Sequence, residues 1–474
     1  MLFQANKKID WVYLLVIGAL GFLLTYFQYH GKLHQLFYGV FFLLAVAFTS
    51  FQLKKLDRFY LLIAFLSPVS FSIDIIGGFS LKSPLEPLLM LSLFVFIVKA
   101  SMNYRTSKFS WKHPLVLLLI LDLMWTFIST VNSELTAISL KRFAMNNLYF
   151  IGFFFLFQQT VKSDQKRLFH YFGLGMIIPI LFTSLQHGVH GFAQNYSFNV
   201  SQPFFDDHTQ YGAIAAFVIP YFALNLKKNG KTVYLNSFVL AALIVAVLTS
   251  YSRGAWISLI AAFALYVSLK LHFKVKHILV ILVGLSVFIS VNFSNYYDGL
   301  KHNEVKYDDN ISNHLSSVTN LQNDASNLER INRWVCAYRM YEERPIFGFG
   351  PGTYQFLYDN FQTPEYMTRI STHKGDKGNA HSEILNRLAE QGIVSSLLFL
   401  AISFLALSSG IRRYHASSKP ETKKLILASL LGLTTFYIHG LFNTFSDIAE
   451  MAILVYGSMA ILLTVDINEA QREA

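Results

Sequence analysis

His113-Pro-Leu-Val-Leu-Leu-Leu-Ile-Leu-Asp-Leu-Met-Trp-Thr-Phe-Ile-Ser-Thr-Val131 decides the fold class. A helix of roughly 20 mostly apolar residues crosses the hydrocarbon core of a bilayer, and this run has that length with a single carboxylate, Asp122, inside it. Comparable runs recur on both sides, at about 11–27, 33–53, 59–76, 84–98, 144–161, 168–186, 209–226, 233–250, 254–269, 277–293, 392–409, 425–442 and 447–465. The chain therefore reads as an all-α polytopic membrane protein with about fourteen transmembrane helices. Pro68, Pro87, Pro179 and Pro220 fall inside or near the starts of these runs. Membrane helices tolerate them because neighbouring groups satisfy the freed carbonyls.

Composition agrees. Hydrophobic residues make up 53% of the 474 residues and charged residues only 14%, against about a quarter in soluble chains. The lone cysteine, Cys336, excludes an intramolecular disulfide and any Cys-based zinc site. No short apolar segment with a small-residue cleavage site opens the chain, so 11–27 reads as a retained helix.

The formal charge of +11 would suit nucleic acid, but its distribution argues otherwise. With the N-terminus in the cytoplasm, 24 of the 39 Lys and Arg fall in the inner loops and termini. The outer short loops hold Lys32, Lys82, Lys141, Arg142 and Arg253 alone. This positive-inside alternation predicts cytoplasmic termini and no nucleic-acid partner. It also divides the chain into N-terminal helices (1–293), an external loop (294–391) and C-terminal helices (392–474).

The loop opens on an irregular Asn-, Asp- and Ser-rich stretch, 295–327. Ser326 with Glu329 then fits a capping box. Ile331, Trp334, Val335, Tyr338 and Tyr341 recur at helical spacing and predict the apolar face of an amphipathic helix that Pro345 ends. A glycine-rich turn follows, then a short helix capped by Asn379, with His381 in its first turn and Ile384, Leu385 and Leu388 on one stripe. That stripe predicts a helix lying on the outer membrane surface, and Gly392 separates it from the next span.

Four segments carry a resemblance: Ser252-Arg253-Gly254-Ala255; Arg330-Ile-Asn-Arg-Trp334; Arg344-Pro-Ile-Phe-Gly-Phe-Gly-Pro-Gly-Thr-Tyr354; and His381-Ser-Glu-Ile-Leu-Asn-Arg-Leu-Ala-Glu-Gln-Gly392. In this order they resemble the O-antigen ligase and polymerase superfamily of bacterial envelope glycosyltransferases. That family begins a span with Ser-Arg-Gly and places the other three motifs in a long periplasmic loop. The family's last motif position, usually Gly, Thr or Tyr, is Ser395 here. The resemblance implies a GT-C-type, metal-independent inner-membrane enzyme without a cofactor or nucleotide-sugar donor. It would move a glycan from undecaprenyl pyrophosphate to an acceptor hydroxyl on the periplasmic face. The acceptor is the lipid A core in a ligase and another lipid-linked repeat unit in a polymerase.

The residue types suit that chemistry. A departing pyrophosphate needs cations, and the planar guanidinium fork binds phosphate in pairs of hydrogen bonds. Arg253 leads, Arg330 follows, and Arg142 and Arg333 are weaker substrate-binding candidates. Outside its motif Arg253 would read as a snorkelling anchor, and Arg330 as part of a solvated helix face. His381 suits the proton acceptor for the attacking hydroxyl, since a helix N-terminus favours the neutral imidazole. The same N-terminus could instead hold phosphate. Glu383 is a weaker acid or base, and Asp206-Asp207-His208 leads into the eighth span on the outside, so that His208 lines the same cavity.

Other signals lead elsewhere. Gly348-x-Gly-x-Gly352 lacks dinucleotide spacing and contains Pro351. His373, Asp376, His381 and Glu383 have no regular metal-ligand spacing. Asp122, Asp74 and Glu86 fit either an ion path or paired structural groups, which keeps a small-solute or ion transporter as the alternative of a different class. A protein O-oligosaccharyltransferase is a further enzyme variant. The chain shows no duplicated halves of the kind many carriers have.

Overall fold

The computed structural model describes residues 56–74, 80–101, 111–160, 165–226, 231–271, 325–364, 367, 371 and 378–464. The expected spans at 11–27, 33–53 and 277–293, loop residues 294–324, and His373 and Asp376 lie outside them. The described chain is mostly helical. Its principal helices are α1 (Leu56–Leu66), α2 (Leu85–Ser101), α3 (Pro114–Val131), α4 (Thr136–Tyr149), α5 (Arg167–Val189), α6 (His208–Leu224), α7 (Lys231–Thr249), α8 (Arg253–Lys270), α9 (Ala325–Glu343), α10 (Glu383–Ala416), α11 (Pro420–His439) and α12 (Ala449–Thr464).

By length and composition α3, α5, α8 and α10 can each cross a bilayer, and shorter apolar helices at Phe59–Val69, Leu85–Ile97, Val233–Thr249 and Ala449–Thr464 accompany them. The opening stretch forms α3 because Pro114 occupies its first turn, where a missing N–H costs nothing, while His113 Nδ1 accepts the Leu115 N–H at 3.2 Å. Its two faces differ. Leu115, Val116 and Leu119 are buried, whereas Leu117, Leu121, Met124, Phe127 and Val131 form an exposed apolar stripe. A helix exposing such a stripe suits lipid rather than water. The chain is a multi-pass membrane protein.

At the centre stands α11, packed against α6, α8, α10 and α12. It is buried continuously from Leu425 to Phe436, as expected of a helix apolar on all sides. The same holds for most of α12. The polar residues gather at the two ends. One end brings together Lys82, Arg142, Asp206, Ser250, His381, Asn443 and Asp447. At the other, Gln165 donates to Thr464 Oγ1 at 2.7 Å, and His113 feels Arg413 and Arg412.

Several expected boundaries move. The span expected at 59–76 stops at Leu66. Pro68 lies in a 3-10 turn, Ser67–Val69, and the chain then forms an antiparallel hairpin of β1 (Phe71–Asp74) and β2 (Ser80–Ser83), a local departure from all-α. Lys141 and Arg142, expected in an outer loop, lie within α4, which starts at Thr136 because the Ser133 hydroxyl holds the Leu135 N–H at 3.1 Å. From Tyr149 the helical path continues through a π-helical segment, Phe150–Leu156, to Phe157–Thr160.

Candidate functional site

The site is built around a break in α10. Gly392 adopts φ 71° inside an otherwise continuous helix, and a Cβ there would fall 2.0 Å from the Ile346 carbonyl oxygen. The glycine-rich turn fills that break by backbone pairing. Phe349 N donates to Ala389 O (3.1 Å), Gly350 N to Glu390 O (2.7 Å), and Ile393 N to Pro345 O (3.0 Å). Hydroxyls bind the other side of the turn to α3 and α4: Ser129 Oγ donates to Phe347 O at 2.7 Å and Ser139 Oγ to Pro351 O at 3.0 Å. Trp125 stacks on Phe347 and donates its Nε1–H to Gln391 O at 2.9 Å. The Pro-x-x-Gly-x-Gly motif thus ties three helices together.

Helix α9 ends before Pro345 as its sequence indicates, but it begins at Ala325, so that Ser326 lies inside it instead of capping it, and it buries a different face. Asn332, Arg333, Cys336, Ala337 and Met340 point inward, and Tyr338 is exposed. Polar bonding decides this. Arg333 Nε donates to Glu329 at 2.9 Å, its Nη1 donates to Asn379 O at 3.1 Å, and its guanidinium covers the Tyr358 ring. Arg333, a substrate-binding candidate, is therefore engaged in holding the 378–381 segment. Trp334 holds the same segment by donating Nε1–H to His381 O at 3.3 Å.

His381 precedes the helix instead of lying in its first turn. Its φ of 48° is left-handed, and Ser382, not Asn379, occupies the N-cap position of α10. Asn379 Oδ1 instead accepts the His381 N–H at 2.9 Å. A left-handed non-glycine residue costs about 1–3 kcal/mol and persists only where its surroundings impose it. Here those surroundings are Asn379 and Trp334. The following helical turn packs among α9, α11 and the glycine turn rather than presenting Ile384, Leu385 and Leu388 to a membrane surface, because Glu383 N donates to Gly440 O at 2.8 Å and Leu385 joins the cluster of Cys336, Met340 and Tyr354.

The imidazole is oriented by a chain of side chains. His381 Nδ1 lies 3.3 Å from Asn443 Oδ1, which also accepts the Thr444 N–H. Asn443 Nδ2 donates to Thr209 Oγ1 (2.6 Å), and that hydroxyl donates to Asp207 Oδ1 (2.5 Å), the N-cap of α6. With Asn443 Oδ1 as acceptor, Nδ1 carries the proton and Nε2 keeps its lone pair. Nε2 has no hydrogen-bond partner among the described residues. Burial, then the Arg333 and Arg330 guanidiniums, push the imidazole from its ordinary 6.5 down to about 3. It is therefore neutral, chiefly through burial and adjacent arginines.

The other candidates surround it unequally. Arg330 acts electrostatically on His381, His208 and His439, and Arg253 acts on His208. Arg253 opens α8 beside His439. Ser252 Oγ lies 3.3 Å from His439 Nε2, and a Cβ on Gly254 would fall 2.4 Å from that nitrogen, so only glycine lets α8 close on α11 here. His208 Nδ1 is 2.6 Å from Ser250 O. Arg142 pairs with Asp447 at 2.9 Å. Glu383, considered as an acid or base, accepts Phe445 N–H (2.6 Å), Ser446 N–H (2.7 Å) and the Ser446 hydroxyl (2.7 Å), which anchors the 440–448 loop.

Asp122 and Glu86 belong to paired groups. Arg387 Nη1 donates to Asp122 at 2.9 Å and to Ser395 Oγ at 3.2 Å. Glu86 accepts from Tyr149 OH and from Lys82 N. Sequence reasoning missed Asn443, His439 and Asp447 because no motif surrounds them and each acquires its neighbour across the bundle. The Asp-Asp-His signal before α6 did lead to Asp207 and Thr209.

No curated protein matches the chain. A family model described as O-Antigen ligase matches residues 238–400, a segment that includes Arg253, Arg330, the glycine turn and His381. Over that segment the chain is similar to the O-antigen ligase and polymerase superfamily.

Proposed function

We propose that this protein is a lipid-linked glycan transferase. It moves a glycan from undecaprenyl pyrophosphate to an acceptor hydroxyl, that of the lipid A core, on the periplasmic side of the bacterial inner membrane. The observation that carries this reading is a neutral histidine with a directed lone pair, set among arginines at one end of a membrane bundle. His381 Nε2 takes the hydroxyl proton as the acceptor oxygen attacks the anomeric carbon. The bond from that carbon to the pyrophosphate oxygen breaks, and the leaving anion is stabilised by Arg330 and Arg253. Fixed cations in a water-poor site supply several kcal/mol to such a step. Arg333 and Glu383 position the 378–381 and 440–448 segments, and Arg142 holds Asp447 beneath the glycine turn. We read the whole chain as about fourteen spans in a GT-C-type arrangement with cytoplasmic termini, divided at 293 and 391.

A polymerase of the same superfamily is the second reading, favoured by Ser395 where the family's usual motif has Gly, Thr or Tyr. The carrier reading loses support, since Asp122 and Glu86 are held by Arg387 and Tyr149. The test is transfer of labelled glycan from a purified lipid-linked donor to lipid A core or to a second donor molecule. Transfer should proceed without nucleotide and in EDTA. Solute movement without transfer to any acceptor would put the carrier first, and activity lost in EDTA but restored by one divalent ion would demand a metal site.

A further inference from the structure

At the end of the bundle opposite His381, a cavity of about 500 Å³ opens between α6, α8 and the α10–α11 connection. Its volume falls within the range of small-ligand sites, about 300–1,000 Å³. Lys270, Lys423, Lys424 and His415 line it, together with Tyr266 and Tyr414. Lys424 shares its charge with Glu421 at 3.3 Å. Lys270 and Lys423 instead sit against aromatic rings, 5.8 Å from the Tyr266 centroid and 4.7 Å from that of Tyr414. Among the described residues neither has a carboxylate partner.

A second feature has the same sign. Pro420, also in the lining, is the first residue of α11, whose N-cap, Lys419, makes no side-chain capping bond. The positive end of the helix dipole therefore adds to the lysines. Ala223, Leu224, Leu269 and Leu427 supply the apolar part of the wall. A cationic mouth, aromatic sides and an apolar wall at the end of a membrane bundle match a phospholipid, with its phosphate on the lysines and its chains along the helices.

We propose that this cavity binds the headgroup of an anionic phospholipid. The site is independent of glycan transfer and holds whichever acceptor the enzyme uses.

The test uses the full chain purified in detergent and a fluorescent short-chain phosphatidylglycerol. Binding should be saturable, and competed by unlabelled phosphatidylglycerol but not by phosphatidylcholine of equal chain length. Lys270→Gln with Lys423→Gln should weaken it roughly thirtyfold, about fivefold for each lysine near the headgroup layer. The paired arginine replacements should retain it. Lys112→Gln, which alters an exposed lysine outside the cavity, should leave it unchanged. Equal binding of phosphatidylcholine, an unaltered affinity in the double glutamine variant, an equal loss in Lys112→Gln, or loss in the arginine variant would each overturn the proposal. Full competition by inorganic phosphate would do so too, since it would identify a free-phosphate site.

Discussion

The helical shafts and the His381 end of the bundle are held by different forces. Between their ends α11 and α12 are buried along their length, and the Thr434 and Thr435 hydroxyls bond back to carbonyls of α11 itself. At the His381 end, position depends on individual bonds between distant residues: Asn443 to Thr209, Arg333 to Asn379, Glu383 to Phe445, Ser129 to Phe347. Apolar packing is non-directional and tolerates small changes of volume. A directed bond has no such tolerance. The contrast teaches that changes equally conservative in size should act on different observables at the two places.

The largest expected effect is at the imidazole. His381→Ala should lower transfer roughly 100- to 10,000-fold, the usual worth of a general base, while donor binding, assayed separately, stays close to wild type. Wild-type transfer by this variant would remove His381 from the chemistry and leave the end of the bundle as a purely structural device.

Next comes geometry at fixed charge. Arg253→Lys keeps the cation but loses the planar fork, and transfer should fall roughly 100-fold, as when one charge-stabilising donor is removed. Activity within a factor of two would mean that a diffuse positive field suffices there.

Gly392→Ala tests the backbone break. A left-handed alanine facing the Ile346 carbonyl should destabilise the fold by at least about 1–3 kcal/mol, measured by thermal unfolding in detergent. Its shaft counterpart, Ile453→Val, removes one buried methyl group and should cost about 0.5–1.5 kcal/mol with transfer unchanged. If the two variants melt alike, the proposed contrast between the regions fails.

The smallest effect is the most diagnostic. Asn443→Ala removes one orienting hydrogen bond from His381 and should slow transfer about 2- to 12-fold. The pH profile separates orientation from simple damage. With the free imidazole near 3, kcat/KM should stay level as pH falls from neutrality to about pH 5. Protonation, which abolishes the base, sets in only below that. Asn443→Asp places a carboxylate beside Nδ1, which favours the imidazolium, so the acid limb should move up toward neutral pH. An unmoved limb would mean that residue 443 does not address the ring.

The membrane-spanning class, most helix positions, the helix over Ala325–Glu343 and the segments that meet around His381 were legible in the amino-acid order, because apolar run length, prolines and motif spacing are local properties. The buried face of α9 was not. Apolar periodicity marks Trp334 and Tyr338, yet Arg333 and Asn332 turn inward because Glu329, Asn379 and Gln362 offer them hydrogen bonds there. Nor could local pattern place Arg142 within a helix, since its tolerance there rests on Asp447, some 300 residues away. The tautomer of His381 was likewise beyond reach: it depends on Asn443, Thr209 and Asp207, which come from the 440–448 loop and the start of α6. Sequence alone determined that the chain is a multi-pass membrane protein and which residue types are available for phosphate and proton chemistry. Only the tertiary structure decided which arginine holds the backbone, which faces the histidines, and which ring nitrogen is free, because a hydrogen bond between distant segments exists only once the bundle has closed.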